Sequence, residues 1–252
     1  MGTGITTTGT ATAARTGGPE PREVTAQRDY LRDAGAIYER SFALARELTD
    51  LSGLPEELHP LALRLVHACG MPEIARDLAW AGDPVAAGRA ALERRAQVCC
   101  DSRMTEAGIM RKVLPGGVFT HCAVDWPEAR RIAEEVGTTR SAAAVDLWQQ
   151  RLDGAVVAIG NAPTALFRLI ERLAEWEVRP AVILAFPVGF VGAAESKAAL
   201  VEAGWLGVPY VTLLGRFGGS ALAAAAVNAL LLAYRSTVDD GRSPGPPTPT
   251  GP

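Results

Sequence analysis

Apolar positions recur at helical spacing over residues 29–47, where Ile37, Phe42, Leu44 and Leu48 mark one side of a predicted helix. A second helix is expected over PLALRLVHAC (60–69), with Pro60 in the first turn, where proline is tolerated, and Gly70 as its stop. DPVAAGRAALERR (83–95) supplies a third. Beyond residue 95 the period changes, and short β-rich runs alternate with helical ones. The predicted order is strand QVCC (97–100), helix around TEAGIMRKVL (105–114), strand VFTHCAV (118–124), then helices EARRIAEEV (128–136) and SAAAVDLWQQRL (141–152). Strand AVVAIG (155–160) and helix TALFRLIERLAEW (164–176) come next, followed by strand AVILAF (181–186) and helix ESKAALVEAG (195–204). Strand PYVTLLG (209–215) and helix ALAAAAVNALLLAY (221–234) complete the series.

The last three strands are nearly continuous apolar runs, the pattern of parallel strands covered on both faces. The expected fold is therefore α/β, a three-layer α/β/α body with a mostly parallel central sheet, preceded by N-terminal helices. Residues 1–22 are rich in Thr, Gly and Ala, and residues 236–252 in Pro and Gly. Neither segment carries enough apolar surface to offset ordering, so both are expected to be disordered tails around a single domain at 23–235.

In sheets of this kind ligands sit outside the carboxyl ends of the strands. The turns expected there are NAPTALF, PVGFVGAAESK and RFGGS, each rich in Gly, Pro, Asn, Thr or Ser and each opening into a helix. Free N–H groups at such helix starts attract carboxylate or phosphate, though a glycine-rich turn can equally be only a tight connection.

A formal net charge of −3 argues against general nucleic-acid binding. Lys112 and Lys197 are the only lysines among 25 basic residues, so cationic recognition falls to arginine, whose planar fork grips carboxylates at two points. Four cysteines without CxxC spacing indicate neither a disulfide framework nor a zinc site, and a reducing cytoplasm fits them. The N-terminus lacks a secretory h-region, and the longest apolar runs are shorter than the about 20 residues a membrane span needs.

Among candidate chemical groups, RLVHACG (64–70) places Arg64 and His67 along one edge of a helix, away from Leu61, Leu65 and Val66. His67 is open to three readings: a core histidine bonded to a carbonyl, a metal ligand with Cys69, His121 and Cys122, or a general acid beside an arginine that holds an anionic substrate. In GTTRSAAA, Thr138 and Thr139 are expected to cap a helix whose first turn carries Arg140; a cation there is unfavourable unless an anion offsets it. Arg140 is thus either an anion clamp or a solvated side chain. Tyr38, Arg40 and Ser41 form a polar face on the first helix. Cys99 and Cys100 lie in an apolar strand and are expected to be buried, whereas Asp101 and Arg103, past its end, are placed for polar contact.

The ordered set IYERSF, RLVHACG, TRSAAA, VVAIGNAPTALF, PVGFVGAAESK and GRFGGSALAAAAVNAL resembles the precorrin-8X methylmutase family of corrin biosynthesis over about residues 30–232. The resemblance implies an isomerase that moves a methyl group from ring carbon 11 to carbon 12 of a carboxylate-rich tetrapyrrole, converting precorrin-8X to hydrogenobyrinate without a cofactor. It implies His67 as proton donor. Arg64, Arg140 and Arg40 become carboxylate clamps, and Ser41 and Tyr38 hydrogen-bonding partners. Asp101, Asn161 and Thr164, with Gly218, Gly219 and Ser220, complete a substrate pocket through backbone amides and polar side chains. A homodimer with the pocket near the subunit interface is implied too, with no metal, nucleic-acid or membrane partner. In the family the block before the aspartate is less polar than VCCDSRM, so Ser102 and Arg103 change the charge near the expected rim. Competing readings are the same shift on cobalt-precorrin-8, a non-catalytic corrin carrier, and a flavodoxin-like nucleotide binder.

Overall fold

A computed structural model describes Met1 and residues 30–241, with side chains through residue 236; the predicted 1–22 tail and all but the start of the 236–252 tail lie outside the described residues. Two helices open the chain, α1 (Ala34–Leu48) and α2 (His59–Cys69). The Asp33 carboxylate accepts from the Ala36 amide at 2.7 Å and so begins α1 later than the hydrophobic pattern suggests. Gly70 ends α2 in the left-handed conformation, φ 70°, its amide donating to Val66 O at 2.7 Å.

Six strands follow: β1 (Leu78–Ala81), β2 (Val98–Cys100), β3 (Thr120–His121), β4 (Val156–Ile159), β5 (Val182–Ala185) and β6 (Tyr210–Leu213). They form one sheet in the order β1-β6-β5-β4-β2-β3. All neighbours are parallel except β1, which runs antiparallel to β6 with Leu78 opposite Leu213. Strand β1 was not expected from sequence: LAWA is too short, and too close to the preceding turn, for alternation to register. The strand expected over 118–124 shrinks to two residues at the sheet edge, where only β2 supplies partners.

Side chains alternate across the sheet with period two. Val98, Cys100, Val156, Ala158, Val182 and Leu184 face a core shared with α2, α3 (Pro84–Glu93) and α10 (Ser220–Gly241). Cys99, Val157, Ile159, Ile183 and Ala185 face a second core beneath α8 (Pro163–Glu175) and α9 (Ala193–Glu202), and Val145, Trp148 and Leu152 join it. The mostly parallel three-layer architecture is as the hydrophobic runs imply. Helix α10 continues to Gly241, past the expected domain end at residue 235, and every residue from Leu222 to Leu231 is buried.

Two expected helices break. The stretch 105–114 divides into α4 (Arg103–Ala107) and a 3-10 turn at Arg111–Val113, because Gly108 presses against Ala224 of α10. Residues 140–152 divide into α6 (Arg140–Asp146) and α7 (Gln149–Leu152), with fully buried Trp148 between them. Helix α5 (Pro127–Val136) precedes them. Among the described residues no helix is long and apolar enough to cross a membrane.

Candidate active site

Helices α1 and α2 bring four predicted residues together. His67 Nδ1 lies 2.9 Å from Ser41 Oγ, and the His67 ring stacks on Phe42 with centroids 4.6 Å apart and planes 18° from parallel. Arg64 donates to the Tyr38 hydroxyl, and its guanidinium lies 4.9 Å above the Phe42 ring. Tyr38 meets the His67 ring edge-on at 6.0 Å. Spacing explains the assembly: Tyr38, Ser41 and Phe42 share one face of α1, and Arg64 and His67 one edge of α2. The core reading of His67 is set aside by this placement, because the ring is exposed at the surface. Partial burial, followed by the neighbouring positive charge of Arg64, holds the imidazole below the usual histidine range.

Two concavities flank Arg64. One, of about 240 Å³, is lined by Arg64, His67, Gly108, Ala221, Ala224 and Asn228. The other, of about 410 Å³, lies between Tyr38, Phe42, Arg46, Leu63 and Leu232. Helix α10 supplies the floor of both, which is why its alanine-rich sequence matters: small side chains leave room beside the imidazole. Phe42 was read from sequence only as an apolar helix position, and Arg46 and Asn228 were not singled out. A signal for Asn228 existed, since it is the one polar side chain in the apolar run 221–233.

Asp101 does not reach the surface. Its side chain is fully buried, and its carboxylate accepts from the amides of Gly160, Asn161 and Ala162 at 3.0, 2.8 and 2.8 Å and from Thr105 Oγ1 at 3.2 Å. Burial raises its pKa, and these donors pull it back. The expectation that the turn after β4 offers free amides to a ligand is thereby corrected, because its first three are held by the protein's own carboxylate. The Gly219 amide is likewise engaged, donating to Phe186 O at 2.8 Å. Gly218 is glycine because a Cβ there would lie 2.4 Å from Phe186 O and 2.5 Å from Pro187 O. Buried Ser220 lies 3.1 Å, oxygen to oxygen, from Ser102. The Gly219 amide and the Asp101 carboxylate thus serve the scaffold of the rim.

The other expected clamps lie apart from His67. Arg40 is exposed and makes no hydrogen bond or ion pair among the described residues; two positions from Tyr38, it turns away from α2. Arg140 belongs to the opposite helical layer, at the edge of an open depression of about 650 Å³ with Arg130, Glu134 and Thr138. There Thr139 caps α6, accepting from the Ala142 amide at 3.2 Å, and its hydroxyl lies 2.8 Å from Thr164 Oγ1. Asn161 is exposed on the adjacent turn. Arg103 adds no net positive charge to the rim, since it pairs with Glu106 at 2.8 Å and Asp125 at 3.0 Å. His121 sits on edge strand β3 against Trp126, with ring centroids 4.9 Å apart. Among the described residues no three His, Cys, Asp or Glu side chains converge to hold a metal.

Comparison with known proteins identifies the family of the chain. A family profile described as precorrin-8X methylmutase (CbiC) matches residues 36–233. The precorrin-8X methylmutase of a Sinorhizobium species is 52% identical over 202 residues, covering 80% of this chain and 96% of that protein. The cobalt-precorrin-8 methylmutase of Methanocaldococcus jannaschii is 35% identical, covering 67% of this chain and 76% of its own length. The crystal structure of a precorrin-8X methylmutase from Thermus thermophilus superposes with a TM-score of 0.72 at 34% identity, covering 84% of this chain and all of that one. With the profile spanning both helices that carry the His67 cluster and the whole sheet behind them, the chain belongs to the precorrin-8X methylmutase family.

Proposed function

We propose that this protein is the isomerase that moves the methyl group of precorrin-8X from ring carbon 11 to carbon 12, giving hydrogenobyrinate in cobalamin biosynthesis. The observation that carries the reading is an exposed imidazole, held through Nδ1 by Ser41 and through its face by Phe42, beside an arginine at the mouth of two cavities. A methyl shift within one molecule exchanges no atoms with the protein. The protein's part is to hold the macrocycle near the geometry of the transition state and to move one proton.

His67 is the proposed proton donor, with Nε2 as the nitrogen left for the substrate once Nδ1 faces Ser41. Arg64 is the proposed clamp for a substrate carboxylate, pre-oriented by the Tyr38 hydroxyl and the Phe42 ring. Clamp and acid are coupled through charge. A carboxylate docked on Arg64 neutralises the cation that depresses His67, so the imidazole holds its proton better when substrate is present.

Arg140, Arg40, Asn161 and Thr164 remain proposed contacts for the outer carboxylates. Their separation from His67 within one chain fits a homodimer in which a second copy completes the pocket. Four free thiols suit a reducing cytoplasm. The metal-free substrate is favoured over its cobalt form because the 52% relative bears the metal-free name and the 35% relative the cobalt one.

The test is His67→Ala. Turnover of precorrin-8X, followed in the visible spectrum, is expected to fall by about 10²–10⁴-fold, with hydrogenobyrinate binding kept. Unchanged turnover in that variant overturns the assignment. A wild-type chain that binds the corrin and never converts it is a carrier, and faster conversion of cobalt-precorrin-8 reassigns the substrate.

A further inference from the structure

The wall of the cavity beside His67 is held by a residue to which no role is attached. Asn228 sits midway along α10 at 8% exposure and lines the same 240 Å³ cavity as Arg64 and His67. Its side chain uses both ends on one turn: Nδ2 donates to Gly108 O at 3.0 Å, and Oδ1 accepts from the Met110 amide at 2.8 Å. That turn follows α4, and its first residue, Gly108, is itself part of the cavity lining. A Cβ on Gly108 would come 2.6 Å from Ala224 Cβ, so the turn lies directly on α10 at Gly108, which has no side chain to fix the cavity side.

We propose that Asn228 is a positioning residue for the methyl shift, setting the distance between the Gly108 turn and His67 so that the macrocycle edge is held in one orientation against the imidazole. Three features support this role. Both polar ends of Asn228 are engaged by backbone, so it acts through the turn rather than on the substrate. Ile109, between the two bonded residues, is buried, which anchors the turn on the core side and leaves Asn228 to fix the side facing the cavity. Alanines 221 and 224 on the same helix leave the space between turn and imidazole open, so its width depends on backbone placement and not on bulky side chains. A rearrangement that relies on substrate orientation is sensitive to such a wall, and a shift of about 1 Å can cost on the order of 10²-fold.

The inference rests on the proposed reaction, and the experiment separates the two. Asn228→Ala removes both bonds; Asn228→Asp keeps the acceptor for the Met110 amide and loses the donor to Gly108 O. Purified full-length variants are assayed for single-turnover conversion of precorrin-8X and for hydrogenobyrinate affinity, with His67→Ala in parallel. The expected result is a fall in the conversion rate of about 10–10²-fold for Asn228→Ala and a smaller fall for Asn228→Asp, with affinity changed by less than about threefold. A folded Asn228→Ala protein that converts substrate at the wild-type rate overturns the inference, as does failure of both variants to fold, which would make Asn228 a purely structural staple. If His67→Ala itself keeps full turnover, the parent reading fails.

Discussion

At the scale of the residue, the proposed chemistry is concentrated in one helix turn and its neighbour. Arg64 and His67 stand one turn apart on α2, and α1 answers with Tyr38, Ser41 and Phe42. The coupling between cation and imidazole is measurable because the chain has three histidines, which simplifies a proton NMR titration. Burial first, and Arg64 second, lower the His67 pKa; Arg64→Gln removes the second cause. The His67 resonance of that variant is expected to titrate at higher pH than in the wild type. Substrate affinity is expected to drop by about tenfold or more through loss of a charge-assisted pair, measured by corrin titration. An unmoved His67 titration would uncouple the two residues. Arg64 and His67 were legible in sequence from their i, i+3 spacing. Phe42 was legible only as a core position, because stacking against a ring 25 residues away leaves no periodic trace. Asp101 was misread for a related reason: a carboxylate just past a strand end faces solvent or a loop amide with equal ease, and only the fold decides.

The element scale shows how the rim is held. Lys197 on α9 is fully buried and donates to Phe217 O at 2.7 Å, tying that helix to the loop between β6 and α10. Among the described residues no carboxylate pairs with it, and burial lowers its pKa from 10.5 to about 8. Below pH 8 the ammonium is present in both folded and unfolded chains, and the burial penalty is felt in full. Between about 8 and 10.5 the folded chain has shed the proton that the unfolded chain still holds, so stability rises with pH across that window. Melting curves of wild type and Lys197→Met are expected to shift in the wild type's favour by roughly 1–3 kcal/mol between pH 7.5 and 10.5; a constant difference would show that the ammonium is hydrated. In the same helical layer Asp146 joins α6 to α8, bonded by Arg168 at 2.9 Å and Arg172 at 2.6 Å. Burial would raise its pKa, but the two guanidiniums outweigh it and hold the carboxyl below the usual range. The parallel strands were legible because both faces are covered; β1 was not, since a four-residue edge strand borrows its order from β6. Helix breaks at Gly108 and Trp148 were hidden as well, for they arise from packing against other elements.

On the scale of the whole molecule, the sheet separates two sets of proposed contacts. The His67 cluster lies with α1, α2 and α10, and Arg140 with α5, α6 and α8. A second copy is the economical way to bring both to one macrocycle. Light scattering of the purified chain is expected to give about twice its 26.5 kDa mass; a monomer with full turnover would require the outer arginines to be dispensable. The same sheet reverses its strand order between β2 and β4, where an open α/β sheet commonly receives a guest. Here Asp101 sits in that crevice, at the start of α8, as a covalently tethered occupant. Removing it by Asp101→Gly is expected to lower the melting temperature by about 5–10 °C, and millimolar formate, a carboxylate freed from the chain, to restore part of that loss where chloride does not. An equal response to both salts would deny the vacancy. The crevice that in other proteins welcomes a nucleotide is thus filled from inside by the chain's own carboxylate.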